Sequence, residues 1–213
     1  MIKVIEAEQR SEAWFTARAG LLTGSRASDA FAKLKSGGEA ASRRDYKLQL
    51  AVERLTGKPI ESGFINAEMQ RGIDVEPLAR SRYEAASGNL VRQTGFVIGD
   101  NPHTGCSLDG DIDEFAGILE LKCPKSTTHV RYVEAGELPA DYRLQVTHNL
   151  WVTGAQWCDF CSFDDRLPAG LDWFMVRVYA KDLDISGYAA EAARFLAEVS
   201  VEVEKLTSLR TAA

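Results

Sequence analysis

The spacing of apolar side chains changes character along the chain. Through residue 88 apolar positions recur three or four apart, the period of helices with one buried face. SEAWFTARAG opens on Ser11 followed by an acid, an N-terminal signature, and TGSRASDAFAKL offers Thr23 or Ser25 as a cap. SRRDYKLQLAVERLTG sets Tyr46, Leu50 and Leu55 at helical spacing and stops at Gly57, before Pro59. MQRGIDVEPLARSRYEAASG continues as helix to Gly88, with an interruption or bend predicted near Pro77.

From residue 89 the runs shorten. NLVRQTGFVIG, CSLDGDID and GILELKCP read as strands, as do QWCDFCSF and DWFMVRVYA. Between them DYRLQVTHNLWVTG returns to helical spacing, with Tyr142, Val146 and Leu150 on one stripe. A long amphipathic helix closes the chain over residues 182–210; Tyr188, Ala192, Phe195, Val199, Val203 and Leu206 make its apolar face. The pattern predicts an α/β fold, a mixed sheet of about five strands flanked by helices. Its parts are a helical region 1–88, a sheet core 89–180 and the closing helix. No repeat, low-complexity tract or Pro/Gly-rich linker divides the chain, and 213 residues suit a single domain, 1–213.

Composition changes this picture little. With 45% hydrophobic and 26% charged residues the chain reads as an ordinary globular protein. No apolar run approaches the roughly 20 residues of a membrane span, and MIKVIEAEQRSEAW lacks the marks of a targeting peptide. A cytoplasmic protein with no membrane partner is expected. In such a compartment Cys106, Cys123, Cys158 and Cys161 are expected as free thiols. Cys158 and Cys161 form a CxxC on a strand, where residues three apart point to opposite faces, and no second pair completes a zinc set.

Charge changes the picture more. The net charge of −6 argues against a nucleic-acid partner, but its distribution does not. Residues 1–60 carry 11 Lys/Arg against 7 Asp/Glu, net +4, and the remainder 14 against 24, net −10. A basic layer on an acidic body fits a phosphate-facing surface, and equally a scatter of solvated cations.

One oily strand carries charge. In GILELKC, Glu120 and Lys122 share a face, while Leu119 and Leu121 point the other way, into the core. If the preceding strand folds back as a hairpin through DEFAG, Asp109 lies beside Glu120, and two carboxylates and one ammonium converge. Hard oxygen ligands of this kind select Mg²⁺ or Mn²⁺, which keep waters and substrate phosphate in their remaining positions. Lys122 is then placed to orient or deprotonate a bound water, with burial beside cations expected to lower its pKa. The plainer reading is an ion pair on a wet strand face, and for Glu-x-Lys alone it prevails. The upstream Asp-Gly and the apolar flanks of both strands favour chemistry.

SLDG followed eleven residues after its Asp by ELKCP resembles the D…ExK core of the restriction-endonuclease-like nucleases, written PD-(D/E)xK. More narrowly, the chain is similar to the phage lambda exonuclease and YqaJ-like viral recombinase family. The resemblance runs through RAGLLTGS (Arg18 to Ser25), GIDVE with Glu76, SLDG, ELKCP and LQVTHNLWVTG with Gln145. It implies a restriction-endonuclease-like core in which Asp109, Glu120 and the Leu121 carbonyl bind metal and Lys122 serves the attacking water. Glu76 would join the acidic cluster. Arg18, Ser25, Ser107 and Gln145 would form a pocket for a terminal 5′-phosphate. Ser-Leu-Asp stands where the family has Ser-Pro-Asp, which leaves the ligand intact but alters the turn.

The residues support that pocket independently. Arginine presents a planar fork to phosphate, and Ser25 near a helix start brings a hydroxyl and free N–H groups. Taken without the family, Arg18, Gln145 and Glu76 read as polar residues on helix surfaces. His103, His129 and His148 show no ligand pattern and read as loop or surface residues. Met69 reads as core, or as a wedge at a DNA end.

The implied function is a Mg²⁺-dependent exonuclease (Mn²⁺ substituting) that digests one strand of linear double-stranded DNA from the 5′ end. It would leave 3′ overhangs for recombination by strand annealing. The implied assembly is a homotrimer ring working with a single-strand annealing protein. A same-fold nuclease of other specificity, single-strand or iron–sulfur, is one alternative. A DNA-end binding module without catalysis is the other.

Overall fold

The computed structural model describes residues 2–60 and 66–211. Two four-stranded mixed sheets form among them, where the sequence predicts one sheet of about five strands. The first has the order β1 (Lys3–Ile5), β3 (Phe96–Ile98), β4 (Thr104–Ser107), β2 (Leu22–Thr23). The second runs β5 (Gly110–Ile112), β6 (Gly117–Lys122), β7 (Trp157–Phe163), β8 (Trp173–Tyr179). The expected single strand CSLDGDID is therefore two. β4 pairs with β3 in one sheet, β5 pairs with β6 in the other, and Leu108 and Asp109 occupy the break. β1 and β2 arise inside the region expected to be helical; at three and two residues they are too short to show a period, and β3 and β4 hold them.

Helices cover the sheets. They are α1 (Glu12–Arg18), α2 (Ala27–Ala30), α3 (Ala41–Thr56), α4 (Ala67–Ser87), α5 (Ser126–Ala135), α6 (Ala140–Thr153) and α7 (Ile185–Thr211). The Ser11 hydroxyl caps α1 by accepting from Trp14 N at 3.2 Å, as its sequence signals. Thr23 and Ser25 cap nothing. They lie at and in a 3-10 turn, Gly24–Arg26, that precedes α2. α4 passes through Pro77 without interruption, and α3 and α4 stop at Gly57 and Gly88, each left-handed.

Three apolar clusters hold the layers. α3 and α7 pack through Tyr46 and Leu50 against Ala192, Phe195 and Val199, the face predicted for the closing helix. Leu55 lies outside that seam, 42% exposed; the buried α3 position near it is Glu53, whose carboxylate accepts from Gly20 N at 2.7 Å. A second cluster joins Val97, Cys106, Ile118 and Cys158 to Val146 and Leu150 of α6. The third, on the opposite face of β6 and β7, joins Leu119, Leu121 and Cys161 to Val75, Ala79 and Tyr83 of α4. Cys158 and Cys161 thus part to opposite faces as free thiols.

Three expectations about single residues need correction, and the reading of charge needs bounding. His129 and His148 are fully buried, because each ring finds two partners. His129 meets Ser162 Oγ at 2.7 Å and the Leu171 carbonyl at 2.9 Å; His148 meets Tyr188 Oη at 2.7 Å and the Gly105 carbonyl at 2.9 Å. Met69, in the first turn of α4, is 51% exposed and not core. The N-terminal cation surplus is partly spent internally: Arg43 and Lys47 both reach Glu198 of α7, at 2.6 and 3.2 Å. Among the described residues no helix is long and apolar enough to cross a membrane.

Candidate active site

β6 alternates, and that alternation builds the site. Leu119 and Leu121 enter the α4 cluster, while Glu120, 2% exposed, faces α6. A buried carboxylate must be matched by donors. Gln145 and Asn149, one turn apart on α6, supply them: Gln145 Nε2 donates to Glu120 Oε1 at 2.6 Å and Asn149 Nδ2 to Oε2 at 3.1 Å. The Lys122 ammonium, on the same strand face, ion-pairs with Oε1.

Asp109 enters from the break between the sheets. The register Gly110↔Leu119, carried one step further, sets it opposite Glu120. Its Oδ2 accepts from the Leu121 N–H at 2.6 Å. Glu76 approaches from α4, its Oε1 accepting from Arg80 Nη2 at 2.8 Å, and Arg80 Nε also reaches the Asp109 carbonyl at 3.4 Å. The expected Asp109–Glu120–Lys122 group is therefore brought together, with Glu76 at its edge.

Its electrostatics follow from burial and mutual repulsion. Burial, then the Asp109 charge, pushes Glu76 above the usual carboxylate range, and burial pushes Glu120 up against the opposing pull of Lys122. Burial alone would lower Lys122, but Glu120 and Asp109 outweigh it and raise its pKa. The lowering expected beside cations is not produced by the protein's own groups, whose nearest charges are carboxylates. Lys122 stands as an ammonium.

The residues expected at a phosphate pocket form a second group. Arg18, at the end of α1, stacks over Trp14 with 4.2 Å from its guanidinium carbon to the ring centroid. Its Nη2 lies 3.4 Å from both Thr23 Oγ1 and Ser25 Oγ. Trp14 Nε1 donates to Ser107 Oγ at 2.9 Å, so Arg18, Ser25 and Ser107 are linked through one indole. Gln145 stands beside them with its amide turned to Glu120. The 3-10 turn lies directly on α6: a Cβ at Gly24 would sit 2.3 Å from Asn149 Oδ1, so only glycine allows the approach.

Sequence reading missed Asn149, Arg80 and Trp14. The first two had a signal, lying four residues from Gln145 and Glu76 on the same helices. Trp14 had none, because its partner is 93 residues away.

Among the described residues no three His, Cys, Asp or Glu side chains converge on one ion position. The Asp109 and Glu120 carboxylates, set opposite each other by the hairpin register, nevertheless offer hard oxygen ligands of the kind Mg²⁺ or Mn²⁺ accepts when water and substrate complete the shell. The residues fit such an ion.

Comparison with known proteins shows the family and the fold. The sequence matches the YqaJ-like viral recombinase domain over residues 13–156. The chain is similar to an alkaline exonuclease (LHK-Exo) from Laribacter hongkongensis, at 38% identity and TM-score 0.83, over 94% of this chain and 98% of that one. A structure of LHK-Exo in complex with dAMP superposes at TM-score 0.84 with the same identity and coverage. A phage related exonuclease from Haemophilus somnus 129PT shares the fold at 12% identity, TM-score 0.66, over 89% of this chain and 96% of that one. No curated protein sequence matches.

Proposed function

This chain belongs to the YqaJ-like viral recombinase family, and we propose that it is a Mg²⁺-dependent exonuclease acting on duplex DNA from the 5′ end. Its family and its likeness to an alkaline exonuclease establish a nuclease of the restriction-endonuclease-like fold. The observation that carries the finer reading is the adjacency of two groups. Glu120, held by Lys122, Gln145 and Asn149, faces Asp109, and the Arg18–Ser25–Ser107 group lies beside it.

Asp109, Glu120 and the Leu121 carbonyl would hold the ion. When bound, it supplies Lewis acidity toward the phosphate and a more acidic water. Lys122, as an ammonium, donates to the attacking water or to the phosphate oxygen that gains charge. Gln145 and Asn149 keep Glu120 from turning away. Arg18, backed by Trp14, offers its fork to the terminal 5′-phosphate, with the Ser25 and Ser107 hydroxyls as further donors. A nucleotide-length spacing between that phosphate and the carboxylates would make the end, rather than an internal bond, the point of cleavage.

The assembly proposed with it is a homotrimer ring that encloses DNA and works with a single-strand annealing protein. Enclosure reconciles the net charge of −6 with a polyanion, since cations need only line the channel. Digestion of linear duplex with 5′-phosphate or 5′-hydroxyl ends, with and without Mg²⁺, tests the activity. Rapid Mg²⁺-dependent release of mononucleotides from the phosphorylated end is expected, and metal-independent or end-indifferent cleavage contradicts it. Light scattering that returns a monomer mass at working concentration rejects the ring.

A further inference from the structure

A cleft of about 480 Å³ opens beside Asp109. It is walled by the segment Glu6–Arg10, by Glu76 and Arg80 of α4, and by Gln93, with Leu108 and Asp109 at its floor. It shares no residue with the Arg18, Thr23, Ser25 and Gln145 set. That set lies toward α6, on the Glu120 face of β6; the cleft lies toward α4. Asp109 lines the cleft and follows Ser107, the partner of Trp14, by two residues. The size falls within the roughly 300–1,000 Å³ of ligand sites.

The charges of the cleft single out one cation. Glu76 is matched by Arg80, Asp109 by the Leu121 N–H, and Glu6 acts on Arg92. Arg80 is further tied to the Asp109 carbonyl and, with the Gln93 amide turned, to its oxygen at 2.7 Å. Glu8 and Arg10 remain. Arg10 is exposed, lines the cleft and acts on Glu76 through space, without a hydrogen bond or ion pair among the described residues. Its backbone is left-handed, φ 70°, a conformation that a non-glycine residue adopts at a cost. The fold thus holds an arginine where glycine would be easier, on the wall of a cleft that Glu76 and Asp109 also line.

We propose that this cleft receives the substrate strand on the 3′ side of the bond being cut, with Arg10 gripping the phosphodiester that follows the scissile one. The assignment rests on the exonuclease reading above. With the terminal phosphate held at Arg18 and the scissile phosphate at Asp109 and Glu120, the strand continues past Asp109 into the cleft. Arg80 positions Glu76 and the Asp109 main chain, and Arg10 contacts DNA. Arg10 is in this sense a substrate-binding residue.

The test is duplex DNA carrying one methylphosphonate, a neutral linkage, immediately 3′ of the first scissile phosphate. Wild type should cleave the first nucleotide from this substrate about tenfold more slowly than from all-phosphate DNA, the effect of one charge-assisted contact. Arg10→Gly should be slow on both substrates alike, so that the methylphosphonate penalty vanishes, while Arg10→Lys retains part of it. Because glycine relieves the left-handed backbone, Arg10→Gly should melt no lower than wild type, which removes misfolding as an explanation. An unchanged penalty in Arg10→Gly overturns the proposal and leaves the exonuclease reading standing. A wild-type protein that cleaves neither substrate overturns that reading and this inference together.

Discussion

Asp109 accepts a 2.6 Å hydrogen bond from the main-chain N–H of Leu121, a contact between the break joining the two sheets and the C-terminal end of β6. It holds Asp109 opposite Glu120, as the hairpin register requires. Asp109→Asn keeps an acceptor for that N–H but removes the charge. It should fold normally and lose Mn²⁺ affinity in calorimetric titration together with activity. Metal binding as tight as wild type would exclude Asp109 as a ligand.

Lys122→Ala should abolish strand cleavage, by on the order of 10²-fold or more, while DNA-end binding persists. Both carboxylates remain, so Mn²⁺ affinity should separate this variant from Asp109→Asn. Substantial Mg²⁺-dependent digestion by Lys122→Ala removes the lysine from the mechanism.

Arg18→Ala should slow digestion of 5′-phosphorylated duplex about tenfold or more, since a charge-assisted contact contributes roughly 1.5–3 kcal/mol. Digestion of hydroxyl-ended duplex should change much less. A purely structural role, through the stack on Trp14, slows both ends equally. The comparison of two proteins on two ends decides between them.

The hairpin between β5 and β6 is strained. Asp113, Glu114 and Phe115 all have positive φ, 50°, 54° and 70°. Glu114 is exposed, so Glu114→Gly should stabilise the protein by about 0.5–1 kcal/mol, the left-handed cost less the entropy of glycine. Phe115→Gly should destabilise it instead, because that ring packs against the α6 cluster and carries Arg92 at 5.5 Å. Chemical denaturation of the two variants reads both signs.

His148 gives the fold an acid-sensitive point. Burial lowers its pKa to about 4, only partly offset by the Gly105 carbonyl. The unfolded chain takes up this proton near pH 6.5, so stability is full above that pH and declines as pH falls toward about 4. The loss reaches about 3 kcal/mol below the folded value. His148→Gln should be less stable than wild type at about pH 7.5, yet lose less on acidification to about pH 4.5. Equal losses in both proteins would assign the acid sensitivity to other groups.

Local pattern was enough for α3 and α4, with a clear period and a glycine stop, for the apolar stripe of α7, and for the shared face of Glu120 and Lys122. Those features depend only on residues a few positions apart. The same holds for the parting of Cys158 and Cys161. Pairing between distant segments decided the rest. Whether CSLDGDID is one strand or two depends on which neighbours β3 and β6 offer, and the answer places Asp109 in a break rather than in a ladder. His129 and His148 are buried because Ser162, Leu171, Tyr188 and Gly105 come from elsewhere to meet them, and Leu55 is exposed because α7 packs against the other side of α3. Lys122 shows the limit most plainly. Its strand face could be read from an alternation of two, but its charge state depends on whether carboxylates or cations surround it, and only the assembled fold supplies that field.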